Sequence, residues 1–238
     1  MINPIPMKKT ALICAALLLA APQAFAMDTF SQAKKELPAI YKQLDNVKSV
    51  YCGCPVSVNK NNRFRVDLES CGYQVRKNEK RARRVEMEHL MPAWAFGHQL
   101  QCWQNGGRKN CTSTNKEFNT MEGDLHNLVP AVGEVNGDRS NFRFSQWNET
   151  PSQYGKCEMI IDFKRKQANP PERARGIIAR AHKYMEGRYK IKLSSSQKKL
   201  FDAWDNMYPP DANECKRNQL IARVQGNDNP FITAKCQQ

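Results

Sequence analysis

Beyond its first residues the chain has no long apolar run, which excludes a membrane-spanning helix of the roughly 20 apolar residues a bilayer requires. It has no internal repeat and no low-complexity segment long enough to act as a linker, so neither a solenoid nor a string of tethered modules is expected. Histidine is scarce, four residues in 238, and no H-E-x-x-H pair occurs, which removes the zincin peptidases. No helix presents a base-reading pattern and no strand carries an ordered aromatic platform. Acidic residues are few beside basic ones, 23 Asp and Glu against 37 Lys and Arg, for a formal net charge of +14.

What is present begins with Lys8 and Lys9 ahead of an apolar run from Ala11 to Ala21, closed by Ala24-Phe25-Ala26. That is the pattern of a secretory signal peptide over residues 1–26. Cys14 sits inside the apolar run, which continues through Leu17-Leu18-Leu19, so it belongs to the leader and not to a lipoprotein anchor. The chain is therefore expected in a periplasm or outside the cell, as one folded domain over residues 27–238. The remaining cysteines, Cys52, Cys54, Cys71, Cys102, Cys111, Cys157, Cys215 and Cys236, form an even set, which in an exported chain reads as disulfides. Their pairing stays open, although a local Cys102–Cys111 bridge would pin the stretch carrying Arg108. A zinc site from Cys52, Cys54 and Cys71 competes with this reading, but its C-x-C spacing is tighter than structural zinc sites use.

Loss of the leader removes Lys8 and Lys9 and no acidic residue, so the basic excess persists in the exported chain. An excess of this size points to a polyanionic partner. Nucleic acid leads, with an acidic membrane surface or a wall polymer behind it.

Apolar spacing predicts a helix over 28–45, capped by Asp28 or Thr29 and interrupted near Pro38, and short strands at 63–68 and 156–163. The C-terminal third reads as helical: 171–189, then 194–207 behind a serine cap, then a last helix over 211–224. Residues 92–123 are rich in Gly, Asn, Thr and Gln and read as a long functional loop, with a short helix at 93–102. A strand near 84–90, a short strand around 127–129 and a helix from about 131 carrying Asn136 frame that region.

Two clusters carry chemistry: Glu86-Met87-Glu88-His89, and Asn127-Leu128-Val129-Pro130 followed by Asn136-Gly137-Asp138-Arg139-Ser140-Asn141. Phosphodiester hydrolysis needs a base to activate water, a cation against the developing charge, and fixed positive groups on the phosphate. His89 suits the base and Glu88 supplies a hard oxygen. Neighbours on a strand point to opposite faces, so their use in one site requires a distorted strand end.

Met87-Glu88-His89-Leu90-Met91-Pro92-Ala93, Gly123-Asp124-Leu125-His126-Asn127-Leu128-Val129-Pro130 and Gly133-Glu134-Val135-Asn136-Gly137-Asp138-Arg139-Ser140-Asn141 together resemble the bacterial endonuclease I family, over nearly the whole exported chain and including the eight cysteines. The resemblance implies an α+β fold: one mixed, disulfide-stapled domain with a ββα-metal (His-Me finger) motif and a helical C-terminal third. It implies His89 as general base, Glu88 and Asn136 as the protein ligands of one Mg2+, with Ca2+ or Mn2+ as alternatives, and Arg108 on the phosphate. Glu122 would orient Arg108 or the metal waters, or else be a solvated loop residue. The products would carry 5′-phosphate and 3′-hydroxyl ends.

His126 reads as packed more than catalytic, and His98 and His182 as structural. Asn127 and Asn141 are expected to tie backbone turns. Arg83, Arg84, Arg139 and Arg143, with Lys77, Lys80 and Arg81, are candidates for contact with the nucleic-acid backbone, double- or single-stranded DNA and RNA, with little sequence preference. The expected protein is a monomer with no membrane contact. The rival is a noncatalytic nucleic-acid-binding protein of the envelope on the same fold; a cationic structural protein would leave the motif unexplained.

Overall fold

The computed structural model describes Met1 and residues 28–236. Met1 apart, the segment read as a signal peptide lies outside the described residues. Helix α1 (Phe30–Tyr41) starts at Thr29, whose side chain accepts the Gln32 N–H, and it carries Pro38 through to its last turn while burying Ala33, Leu37, Ile40 and Tyr41. Strands β1 (Val56–Val58) and β2 (Phe64–Val66) pair antiparallel. A one-turn helix, α2 (Glu79–Ala82), leads into β3 (Val85–His89).

The stretch expected as a loop is instead a chain of short helices: α3 (Ala93–Gly97), α4 (Gln101–Gln104), α5 (Gly107–Thr114) and α6 (Lys116–Gly123). Its polar composition concealed helices that are held by tertiary contacts and not by a strong amphipathic period. Phe96, Phe118, Met121 and Cys111 are buried together, Asn115 caps α6 by accepting the Phe118 N–H, and the Cys102–Cys111 disulfide ties α4 to α5.

A short 3-10 turn at Leu125–Asn127 runs into β4 (Leu128–Val132), which pairs antiparallel with β3 from Val85↔Val132 to His89↔Leu128. Helix α7 (Gly133–Arg139) follows without a break. Strands β5 (Arg143–Phe144), β6 (Ile160–Asp162) and β7 (Gln167–Asn169) form a third small sheet in the order β5-β7-β6.

The rest is helical: α8 (Glu172–Tyr189), α9 (Ser195–Met207), α10 (Ala212–Gln225) and α11 (Pro230–Cys236), with Ser194 and Asp211 capping α9 and α10. The expected last helix therefore has a successor, which the Cys215–Cys236 bridge fastens to α10. No described helix is long and apolar enough to cross a membrane.

Helix α8 is the central strut. Ile178, Ala179 and Ala181 enter the core shared with β4 and α9, while Tyr184 and Met185 enter the core shared with α3 and α6. A separate cluster joins α1 to α10 and the start of β4 through Leu37, Ile40, Leu128 and Ile221. Cys52–Cys157 and Cys54–Cys71 secure the 51–54 turn, and the Val50 N–H bonds to the Pro130 carbonyl, so this turn is docked on β4. All eight described cysteines are thus paired in disulfides, which displaces the zinc reading.

Candidate active site

The cleft of about 830 Å³ that holds the expected chemistry is lined by β3, which among the described residues pairs as a strand with β4 alone and so has a free edge. Glu86, Met87, Glu88 and His89 all line it. A free edge lets side chains from both strand faces reach one cleft, which answers the objection that neighbours point apart. His89 is also the last residue of β3. Beyond it the chain bends at Met91, whose N–H and C=O are both bonded by the Asn127 side chain at 2.7 and 2.9 Å.

Glu86 and Glu88, two residues apart, share the face toward α7. Glu88 is buried; its Oε1 accepts from the Tyr51 hydroxyl at 2.6 Å and from Arg139 Nη1 at 2.8 Å. Burial pushes the Glu88 carboxyl above the ordinary range, with Arg139 and the Tyr51 hydroxyl acting against that rise. Its Oε2 accepts no hydrogen bond among the described residues. Glu86 accepts from Arg81 Nε and Nη2, one edge of the guanidinium, at 2.9 and 2.7 Å, and from Asn136 Nδ2 at 3.0 Å. With the Asn136 amide nitrogen so engaged, its oxygen is left for the cleft.

The sequence of α7 assigns each residue a place. Gly133 lies where a Cβ would meet the Arg81 carbonyl at 2.5 Å, so the helix can close on that backbone only with glycine there, while at Gly137 a Cβ would meet Arg81 Nη1 at 2.0 Å and would displace the guanidinium that Glu86 holds. Glu134, on the side away from Asn136, accepts the Tyr73 hydroxyl and the N–H groups of Arg76, Lys77 and Asn78. Burial opposes its charge, yet these bonds hold its pKa below the usual carboxylate value. Asp138 receives Arg76 and the Tyr154 hydroxyl. Anchored on that side, the helix presents Asn136 to the cleft.

His89 is buried under Phe30, ring centroids 4.7 Å apart, and its Nε2 lies 2.8 Å from the Glu122 carbonyl oxygen. A carbonyl cannot donate, so Nε2 carries the proton and Nδ1 of the neutral ring is the free acceptor. Burial, and then the positive charge of Arg108, push the His89 pKa down to about 3. Arg108 donates through Nε to the buried Glu122 carboxylate at 2.5 Å, leaving its terminal nitrogens on the half-exposed end that lines the cleft. Glu122 thus touches both groups, through its side chain and its carbonyl, and is not a solvated loop residue.

Among the described residues no three His, Cys, Asp or Glu side chains converge as a metal-ligand set. A cation in this cleft would rest on few protein donors, Glu88 Oε2 and the Asn136 oxygen. Both are hard oxygens without a competing donor, and a hydrated ion of the magnesium type suits such a sparse set.

The candidates for nucleic-acid contact fall into different settings, and one of them, Arg139, does not fit. Arg139 is not a surface residue for phosphate: it is buried, spans Glu88 and the carbonyls of His89 and Leu90, and lies over the Phe144 ring. Arg81 is occupied by Glu86, and Arg83 pairs with Glu79 on the surface. Arg84 and Arg143 are exposed, outside the cleft lining. Asn141 stands exposed on the cleft rim and ties no turn among the described residues. His126 bonds the Asn227 carbonyl, His182 the Ile178 carbonyl and His98 the Trp94 carbonyl, all packing roles.

Sequence reasoning missed Glu86 and Tyr51 as holders of the two oxygen donors. The two-residue strand period could have found Glu86. Nothing local to Tyr51 announces a partner 37 positions away.

The sequence pattern described as Endonuclease I matches residues 29–236. An extracellular deoxyribonuclease of Aeromonas hydrophila is 53% identical over 227 residues, covering 94% of this chain and 97% of the relative. A periplasmic deoxyribonuclease of the same organism is 52% identical, covering 93% and 92%. Endonuclease-1 of Buchnera aphidicola subsp. Acyrthosiphon pisum is 49% identical, covering 88% and 82%. With the match running from α1 to the final cysteine and the motif residues gathered in one cleft, the chain belongs to the endonuclease I family.

Proposed function

We propose that this chain is an exported, sequence-nonspecific endonuclease that depends on a divalent metal, Mg2+ in the first instance, and cuts DNA and RNA. The observation that carries the reading is the His89 Nε2 bond to the Glu122 carbonyl, which leaves a neutral Nδ1 as base in a cleft that also holds Arg108. His89 Nδ1 takes a proton from the attacking water as its oxygen bonds to phosphorus. Arg108 holds the phosphate oxygens with its terminal nitrogens, kept in place by Glu122. Glu88 Oε2 and the Asn136 oxygen are the donors for the ion. Once bound there, a divalent ion supplies positive charge beside the phosphate and the departing 3′ oxygen. Breaking the P–O3′ bond, with the departing oxygen taking a proton from a water molecule of the open cleft, leaves 5′-phosphate and 3′-hydroxyl ends.

One copy of the chain supplies every residue of this site, which supports action as a monomer. The names of the relatives support export and DNA as substrate; periplasmic and extracellular relatives match almost equally.

Cleavage of supercoiled plasmid and single-stranded RNA by the oxidised protein, with magnesium or EDTA and beside His89→Ala, tests the reading. The expected result is degradation of both substrates, abolished by EDTA and by the substitution while DNA binding persists. Binding without cleavage under any divalent metal would replace it with the noncatalytic rival.

A further inference from the structure

Among the exposed large apolar side chains of the described residues, Trp94 alone lines the cleft, with 44% of its surface open to solvent. It stands in the first turn of α3, five positions beyond His89, and its indole lies flat on the His98 ring, centroids 3.9 Å apart and planes 7° from parallel. The pair is fixed: His98 Nδ1 bonds the Trp94 carbonyl at 2.7 Å. Exposing an indole beside water has a cost that packing elsewhere would avoid. The same wall carries Trp103, which closes over Gly97 where a Cβ would lie 2.5 Å from its ring. Lys34 and Arg108 supply positive charge to the cleft.

From this geometry we infer that the Trp94–His98 stack is a subsite for one nucleobase of a single strand lying in the cleft, adjoining the phosphate that His89 and Arg108 address. It rests on the nuclease reading and adds a substrate preference to it. A preformed two-ring stack whose indole lines the cleft and keeps 44% of its surface open accepts a third ring in the same sense, and any base offers a suitable face. Bases of an intact duplex already stack on their neighbours and present only their edges. A strand with unpaired bases alone can use the subsite.

The test uses full-length oxidised protein in the noncleaving His89→Ala background, titrated with a short oligothymidylate and with a hairpin duplex of matched length, followed by tryptophan fluorescence and by electrophoretic shift. Trp94→Ala is expected to weaken oligothymidylate binding about tenfold or more, Trp94→Phe by less, and hairpin binding hardly at all. Much of the fluorescence quenching by oligothymidylate should vanish with Trp94. Equal losses for both ligands, or none for either, would overturn the subsite while leaving the nuclease reading intact. If the parent binds neither ligand and the wild type cuts no plasmid, the nuclease reading itself fails and the subsite with it.

Discussion

The Tyr51 hydroxyl donates to Glu88 Oε1 at 2.6 Å, and that same oxygen receives Arg139 Nη1 at 2.8 Å. Both donors are themselves buried, Tyr51 in a turn secured by two disulfides and Arg139 at the end of α7. One carboxylate oxygen is thus committed to structure, and the other is left for the cleft. A carboxylate fixed in this way would lose little freedom on taking a cation.

Tyr51→Phe removes one of the two donors and keeps the ring. Losing a hydrogen bond that orients a metal-binding carboxylate typically costs 10- to 100-fold in metal affinity. The expected outcome is at least about a tenfold rise in the Mn2+ dissociation constant by calorimetry, with a loss of unfolding free energy of about 1–3 kcal/mol. Unaltered metal affinity would mean that Arg139 alone orients Glu88.

Arg139→Met leaves the buried Glu88 without its cation, a loss of about 3–5 kcal/mol by analogy with other broken buried pairs. Combining it with Glu88→Met should recover part of that stability and none of the activity, since the uncompensated charge is gone while the His89 and Leu90 carbonyls stay without their donor. Urea unfolding of the two single variants and the double variant measures the coupling. Additive losses would show that the two side chains do not act as a pair.

His182, buried between Phe144 and Phe201, has its pKa pushed down from 6.5 to about 3, by burial first and then by the nearby Arg139 charge. Below its unfolded value the unfolded chain binds a proton that the folded chain refuses. Stability is therefore full above about pH 6.5 and falls by about 1.4 kcal/mol per pH unit below it, down to the folded value. His182→Gln should flatten the pH dependence of unfolding between pH 6 and 4 by about one proton. His89 and His126 are depressed in the same sense, so a slope remains.

The disulfides should separate by role. Cys52–Cys157 joins positions 105 apart and Cys102–Cys111 positions 9 apart. Loop-closure entropy makes Cys52→Ser/Cys157→Ser cost about 5 kcal/mol and Cys102→Ser/Cys111→Ser about 2.5 kcal/mol. The second variant should fold and show a raised KM, because its bridge braces the segment that carries Arg108. Equal unfolding midpoints for the two would contradict the entropic account.

Local order was legible where a single period or cap decides it. The sequence placed β3 and α8 to within a residue or two, and Ser194 at the start of α9, because strand alternation, helical spacing and side-chain capping act over a few neighbours. It also brought His89, Glu88, Asn136, Arg108 and Glu122 into view as chemical types, through their resemblance to a family. The segment 92–123 escaped because its helices are short and polar, held by Phe118, Met121 and a disulfide whose partners meet only after folding.

Residue type, together with the family resemblance, therefore brought the candidates into view: His89 for a base, Glu88 and Asn136 for oxygen donors, Arg108, and eight cysteines in a basic chain. The tertiary structure decided what each is free to do. Arg139 and Arg108 are alike in the sequence, yet one is enclosed by Glu88 and two carbonyls while the other keeps a half-exposed fork in the cleft. That difference depends on which carboxylates and carbonyls the fold brings within hydrogen-bond reach, and on how much water it leaves, neither of which is a property of neighbouring residues along the chain.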